Sequence, residues 1–385
     1  MTHDITQAAL LSHFTCLGDA CADSCCQNWS MQVDDATLSR YKSEAPELLA
    51  AVDFESDGIP VMKRDATTRQ CIKLDGGWCG VHKEFGDKML GDACHFYPRV
   101  TRKLGEETRM TATLSCPEIV RLMLTLEHPL ADVSQEIERL PSTVKNYAVE
   151  GVDAKNVHHA FLAVAQDESI PPAQALARIS SVARSMALLD KATWHQSVPL
   201  YLKLASSRLP KPEAYQTDSF NLLHALCGLI VASKKPISNR LQKTISDMEQ
   251  SLGATLDWDN VLINLSPDSA GKLAAVREGF IEASAHYEHA LRRYLQAQLS
   301  VSLFPFAGLG TSFEERITFI GVRYATLSLA LACAHHVHGA LVEDEIIRII
   351  QSLSRFMDHL GEASFSLSIY QETGWLKEAR LLSLL

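Results

Sequence analysis

The chain has 385 residues, 46% of them hydrophobic and 21% charged, with a formal net charge of −10. That length allows two domains with cores of their own, and the composition is that of an ordinary globular protein. The acid excess and the lack of any run of five Lys or Arg argue against a nucleic-acid partner, and no stretch of about twenty uncharged apolar residues predicts a transmembrane segment.

The first residues, MTHDITQAALLSHFT, hold no Lys or Arg and no long apolar run. They do not read as a secretory signal, so a reducing, cytoplasmic setting is expected. The same stretch predicts a short helix. A better helix is predicted in DDATLSRYKSEAPELLAAV, where Asp34 and Asp35 read as a helix start with an acidic first turn. RMTATLSC alternates as a short strand.

Between residues 16 and 116 lie eight of the ten cysteines: Cys16, Cys21, Cys25, Cys26, Cys71, Cys79, Cys94 and Cys116. In a reducing compartment thiols gathered in this way bind a metal or an iron–sulfur cluster rather than pair as disulfides. The segment has little continuous apolar periodicity. A metal centre would supply the missing constraint, because its binding free energy becomes folding free energy.

Beyond residue 120 helical patterns follow almost without a break. Asp218 is placed to cap FNLLHALCGLIVAS, with Lys234, Lys235 and Pro236 at its end. Leu273, Val276, Phe280, Ala283, Tyr287, Leu291 and Leu295 predict one long helix; Ile317, Ile320, Tyr324, Leu327, Leu331 and Ala334 predict the next. Residues 343–360 read as another, and 363–385 as one or two more. Pro129 and Pro141 punctuate the junction. The expected fold is mainly α: a small, irregular cysteine-rich metal-cluster domain over residues 1–125, then an all-α helical domain over 126–385.

The thiols fall into a first group, Cys16-x4-Cys21-x3-Cys25-Cys26, and a second made of Cys71, Cys79, Cys94 and Cys116. No C-x2-C knuckle of the kind structural zinc prefers is present. The irregular spacing favours an iron–sulfur cluster, whose separate irons tolerate it, with zinc as the alternative. The adjacent Cys25 and Cys26 cannot easily both reach one small ion. The C-x3-C-x2-C pattern of radical S-adenosylmethionine chemistry fails, because its third position falls on Asn28.

Here the residues resemble a family. CLGDACADSCCQNWSMQVDDATLSRY, CIKLDGGWCGVHKEFGDKMLGDACHFYPRV and LSCPE are similar to the cysteine-rich region of FliB-type flagellin lysine-N-methylases, and more widely to YkgJ-type zinc- or iron-chelating cysteine-cluster proteins. The shared elements are the Cys pair before Trp29, the stretch from Trp78 through Cys79 to His82, and Cys94 through Pro98 to Arg99. The resemblance covers roughly residues 14–118. It implies a protein-lysine N-methyltransferase that methylates flagellin from S-adenosylmethionine, with a [4Fe-4S] cluster on the eight cysteines.

The residues themselves point to no donor site, catalytic base or oligomeric state. Gly308-Leu309-Gly310 lacks a βαβ setting and reads as a loop between helices. A donor site is therefore expected to be unusual and to lie in the cysteine segment. His82 and His95, each near a cysteine, suit a hydrogen bond to a thiolate. Arg99 suits balancing a cluster's negative charge or pairing with a surface carboxylate. Trp29 and Trp78 suit shielding the centre. His158, His159, His335, His336 and His338 read as helix polar groups, and Cys227 and Cys333 as inert core thiols. The rival reading is a non-enzymatic zinc- or iron-binding protein whose helical domain holds a partner.

Overall fold

The structure, a computed structural model, describes residues 2–27, 30–205, 218–234, 236–358 and 363–385. Asn28, Trp29 and Lys235 therefore lie outside the described residues. The chain opens not with the expected helix but with strand β1 (His3–Ala8), followed by a single 3-10 turn over Ala9–Ser12. The reason is tertiary. Partners more than a hundred residues away give β1 a ladder on both sides, which outweighs the local preference of a short segment.

Helix α1 (Asp35–Glu44) follows, then the hairpin β2 (Val52–Phe54) and β3 (Pro60–Met62), and a smaller one, β4 (Leu74–Asp75) and β5 (Trp78–Cys79). Short helices α2 (Gly80–Phe85) and α3 (Asp92–Phe96) lead into β6 (Arg99–Leu104) and β7 (Glu107–Ala112), the strand expected around RMTATLSC. Helix α4 (Pro117–Thr125) and strand β8 (Asp132–Ile137) complete the region. One sheet results, in the order β6-β7-β1-β8; β1 runs parallel to β7 and antiparallel to β8. Its fourth strand comes from beyond residue 125.

The remainder is helical apart from one hairpin. It runs α5 (Ala154–Gln166), α6 (Pro172–Ser185), α7 (Trp194–Leu204), α8 (Asp218–Ser233), α9 (Asn239–Leu252), the hairpin β9 (Ala254–Asp257) and β10 (Leu262–Leu265), α10 (Ser269–Glu282), α11 (Ser284–Val301), α12 (Phe313–His338), α13 (Glu343–Met357), α14 (Ala363–Glu372) and α15 (Glu378–Leu382). The long helix expected over 273–295 is two helices meeting at Ala283. The break lets α10 lie on α9 and α12 while α11 turns to α4, α5 and α6. Phe280 still stacks on Tyr287 across it, with ring centroids 5.2 Å apart.

Helix α12 is long and apolar enough to cross a membrane, but 89% of its most apolar window is buried. It is the central core helix. A single apolar core runs from Ile5 on β1 through Ile119 on α4 to Leu381 on α15. A second, smaller core gathers Met31, Val33, Tyr41, Leu48, Met62, Val81 and Leu90 beneath the cysteine loops.

Candidate functional site

The cysteine loops are built from turns and caps rather than long elements. Cys71 donates its backbone N–H to the Cys26 carbonyl at 2.9 Å, which joins the two sequence groups. Cys79 caps α2, Cys94 lies within α3, and Cys116 caps α4 with Pro117 at the first helical position. Asp34 caps α1 through Thr37 and also accepts the Asp92 N–H at 2.9 Å, tying α1 to the helix that carries Cys94. That bears out Asp34 as a helix start.

Two glycines decide how closely the loops approach. Gly18 has φ +57°, and a Cβ there would meet the Trp78 ring at 2.5 Å; Gly77 has φ +87°, and a Cβ there would sit 2.8 Å from the Asp19 backbone. The β4–β5 turn thus lies directly on the loop between Cys16 and Cys21. Trp78 packs on Gly18 with 42% of its surface exposed, so it covers that loop from the solvent side.

All ten cysteines are thiols, with no disulfide. The eight come together in a grouping different from their order in sequence. Cys26, Cys71, Cys79 and Cys94 line the small core, and Cys25, Cys79 and Cys94 all act electrostatically on Cys26. Cys16, Cys21 and Cys116 form a second set, with Cys21 in electrostatic reach of Cys16 and Cys116, and Cys25 in reach of Cys21 and Cys116. Cys25 is the member common to both sets. Among the described residues no three or more His, Cys, Asp or Glu side chains are set at the geometry of a single metal ion. The donor set fits a soft metal or cluster by its chemistry.

Burial governs most of these thiols. It pushes Cys94 far up and Cys116 up to about 12, although the first N–H groups of α4 pull Cys116 the other way. Cys25 runs opposite, lowered to about 7. The hydrogen bond from the Cys26 thiol is the main cause, and the charge of Arg355 adds to it against the cost of burial. Metal binding requires such thiols to lose their protons.

Arg355 belongs to α13, in the C-terminal half. Its guanidinium reaches Asp23 at 2.6 Å and donates to the Gln27 carbonyl at 2.7 Å; both charged side chains are more than nine-tenths buried. Gln351, one turn earlier, donates to Asp23 at 2.7 Å and to the Ser115 carbonyl at 3.1 Å. The cation beside the thiols is therefore Arg355, which the sequence reading missed. The only signal was a polar stripe, Arg348, Gln351 and Arg355, at helical spacing on an otherwise apolar face.

Arg99 lies over the Phe14 ring at 5.2 Å, in electrostatic reach of Asp87 and of Cys16, as its two expected roles require. The other candidates go elsewhere: His95 pairs with Asp87 at 3.0 Å, and His82 is exposed. His158 is buried on the Phe304 carbonyl at 2.9 Å, half-buried His335 bonds Tyr287 at 2.9 Å, and exposed His338 pairs with Asp247 at 2.9 Å. Cys227 and Cys333 are fully buried core thiols, as expected. Gly308 and Gly310 sit in the loop before α12.

A separate small cleft of about 20 Å³ opens where the sheet meets α5 and the end of α11. Its walls include Val100, Arg102, Arg109, Asp132, Ser300 and Val301.

The model of the FliB lysine N-methylase C-terminal domain matches residues 158–384. The chain is 23% identical to a lysine-N-methylase of Salmonella choleraesuis (strain SC-B67) over 96% of its own length and 95% of that protein's. It is equally similar, over the same shares, to a lysine-N-methylase of Salmonella typhimurium (strain LT2). The flagellar biosynthetic protein FliU of Salmonella muenchen is 28% identical over 31% of this chain and 76% of that protein. No solved structure matches.

Proposed function

This chain belongs to the FliB lysine N-methylase family and is a lysine N-methyltransferase, and from that premise we propose that it methylates lysine side chains of flagellin from S-adenosylmethionine, with an iron–sulfur cluster on its cysteines. The observation that carries the cluster is that free thiols from separate segments stand in electrostatic reach of one another, Cys25 with Cys21, Cys26, Cys71, Cys94 and Cys116, with a buried guanidinium beside Cys25. Flagellin as substrate is supported by the flagellar name of one relative.

Cys26, Cys71, Cys79 and Cys94 would hold the cluster, with Cys25 between them and Cys16, Cys21 and Cys116. When bound, a cluster supplies a soft Lewis-acidic, redox-active centre. The chain's own residues do the rest. Arg355 offsets thiolate charge at Cys25, and Tyr41, fully buried under the loops, keeps water from Cys79 and Cys94. In the net reaction the lysine nitrogen gains a methyl and loses a proton, and the donor leaves as S-adenosylhomocysteine. A free lysine has a pKa of about 10.4, so its ammonium must be desolvated or meet a base to become nucleophilic near neutrality. The acidic chain first attracts the cationic surface. The reducing cytoplasm is the setting in which these thiols stay available.

Metal and sulfide analysis of anaerobically purified protein tests the cluster. Brown protein with iron and labile sulfide in comparable amounts is expected. Colourless protein with stoichiometric zinc and no sulfide would replace the cluster with the zinc alternative.

A further inference from the structure

Helix α13 is a core helix, yet its face towards the cysteine loops carries Gln351 and Arg355. A buried polar or ionic network is no more stabilising than well-packed apolar residues of similar volume, so packing alone does not explain these side chains. Their partners do. Gln351, fully buried, donates to Asp23 at 2.7 Å and to the Ser115 carbonyl at 3.1 Å, and accepts from Arg240 Nε of α9 at 2.8 Å. Arg355 holds Asp23 at 2.6 Å and the Gln27 carbonyl at 2.7 Å. Asp23 stands between Cys21 and Cys25, Gln27 follows Cys26, and Ser115 precedes Cys116. One turn of α13 thus pins together two thiol-bearing segments that lie far apart in the sequence.

The charges of this network do not cancel. Arg348, earlier on α13, is matched by Asp247 at 3.3 Å. Half-buried Arg240 and buried Arg355 both act on the one carboxylate of Asp23, and two guanidiniums against one carboxylate leave one positive charge in excess. The groups that face this excess are thiols. Arg240 lies in electrostatic reach of Cys21, and Arg355 in reach of Cys25, where it acts more strongly than Asp23 does. A cation held out of water needs an anion beside it, and thiols become anionic when they bind metal.

We propose that Arg240, Gln351 and Arg355 are positioning residues for the iron–sulfur cluster: they fix the Cys21–Cys25 loop against Cys116 and place a net positive charge at that edge, so that the helices set the cluster's reduction potential. This assignment rests on the iron–sulfur reading above. A fixed positive charge favours the reduced, more negative state of a cluster, and nearby charge and hydrogen bonding are the means by which a protein tunes it. All three residues lie within the matched C-terminal domain, whereas the eight clustered cysteines precede it. The site is therefore completed from the far end of the chain.

Potentiometric titration of the anaerobically purified, full-length, cluster-containing protein, followed by electron paramagnetic resonance and visible absorption, tests the assignment. Arg355→Met should shift the equilibrium about tenfold towards the oxidised form, a fall of about 59 mV for one electron. Asp23→Asn, which keeps an acceptor for both donors, should shift it upwards by a similar factor. The double variant should return close to the wild type, and Arg355→Lys, with its charge kept, should stay there. A loss of stability alone would not move the two single variants in opposite directions. Gln351→Met keeps every charge but frees the two segments, and should release iron to a chelator severalfold faster below its melting temperature; release at the wild-type rate would overturn its positioning role. Potentials unmoved from the wild type in both Arg355→Met and Asp23→Asn would overturn the inference and leave the cluster reading intact. Colourless wild-type protein without labile sulfide would overturn both. If Arg355→Met does not fold, Asp23→Asn decides alone.

Discussion

Asp23 and Arg355 form the contact on which the site leans hardest, because a buried ion pair is costly to break from one side. Arg355→Met strands Asp23 and should cost about 3 kcal/mol or more of stability. It should also move the alkylation midpoint of Cys25 upwards from about 7, since the guanidinium's charge helps hold that thiol down. An iodoacetamide rate profile against pH on metal-free protein reads the shift; an unmoved midpoint would mean that Cys26 alone sets it. His158 gives a second residue-scale test. Burial, opposed in part by its bond to the Phe304 carbonyl, lowers its pKa from 6.5 to about 4. Between those values the unfolded chain takes up a proton that the folded chain refuses. Stability should therefore fall on acidification, by on the order of 3 kcal/mol once pH is below 4. Urea midpoints across pH 4–7 should show a flatter slope in His158→Gln, which keeps a donor for the carbonyl. An unchanged slope would assign the acid limb to other groups.

At the scale of elements, the β4–β5 turn and the Cys16–Cys21 loop close on each other only because two positions lack a Cβ. Gly18→Ala pushes into Trp78 and takes on a left-handed φ, a cost of about 1–2 kcal/mol from the backbone alone. The expected result is lost iron with little change in global unfolding, measured by metal analysis and thermal melts on one preparation. Retained iron would show that the two cysteine sets close independently. Much at this scale was legible in the sequence. The cap at Asp34, the strand around Arg109–Ala112 and helices α8, α12 and α13 follow from caps and periodicity. What was hidden depends on partners far along the chain. β1 reads locally as a helix start and becomes a strand because β7 and β8 flank it. The break at Ala283 leaves the apolar face continuous, so periodicity could not reveal it.

Across the whole molecule, the cysteines were visible as a set because thiols are scarce and crowded, while their partition was not. Cys26 joins the later thiols and Cys116 the earlier ones, an exchange fixed by the Cys26–Cys71 backbone bond and by α4. Arg355 lies 328 positions from Gln27, and no local pattern links them. The helices share one large core with the four-stranded sheet, whereas the cysteine loops rest on a small one. Cys25→Ser and Cys94→Ser should therefore lose iron and activity yet keep most of the far-ultraviolet helical signal. Collapse of that signal would mean that the cysteine loops and the large core fold as one unit. The central claim is tested most directly by incubating the anaerobically purified, cluster-containing protein with methyl-labelled S-adenosylmethionine and flagellin, then locating the label by peptide mass spectrometry. Label on flagellin lysine side chains, absent with Cys25→Ser, is the expected result; cluster-replete protein that leaves every flagellin lysine unlabelled would contradict it.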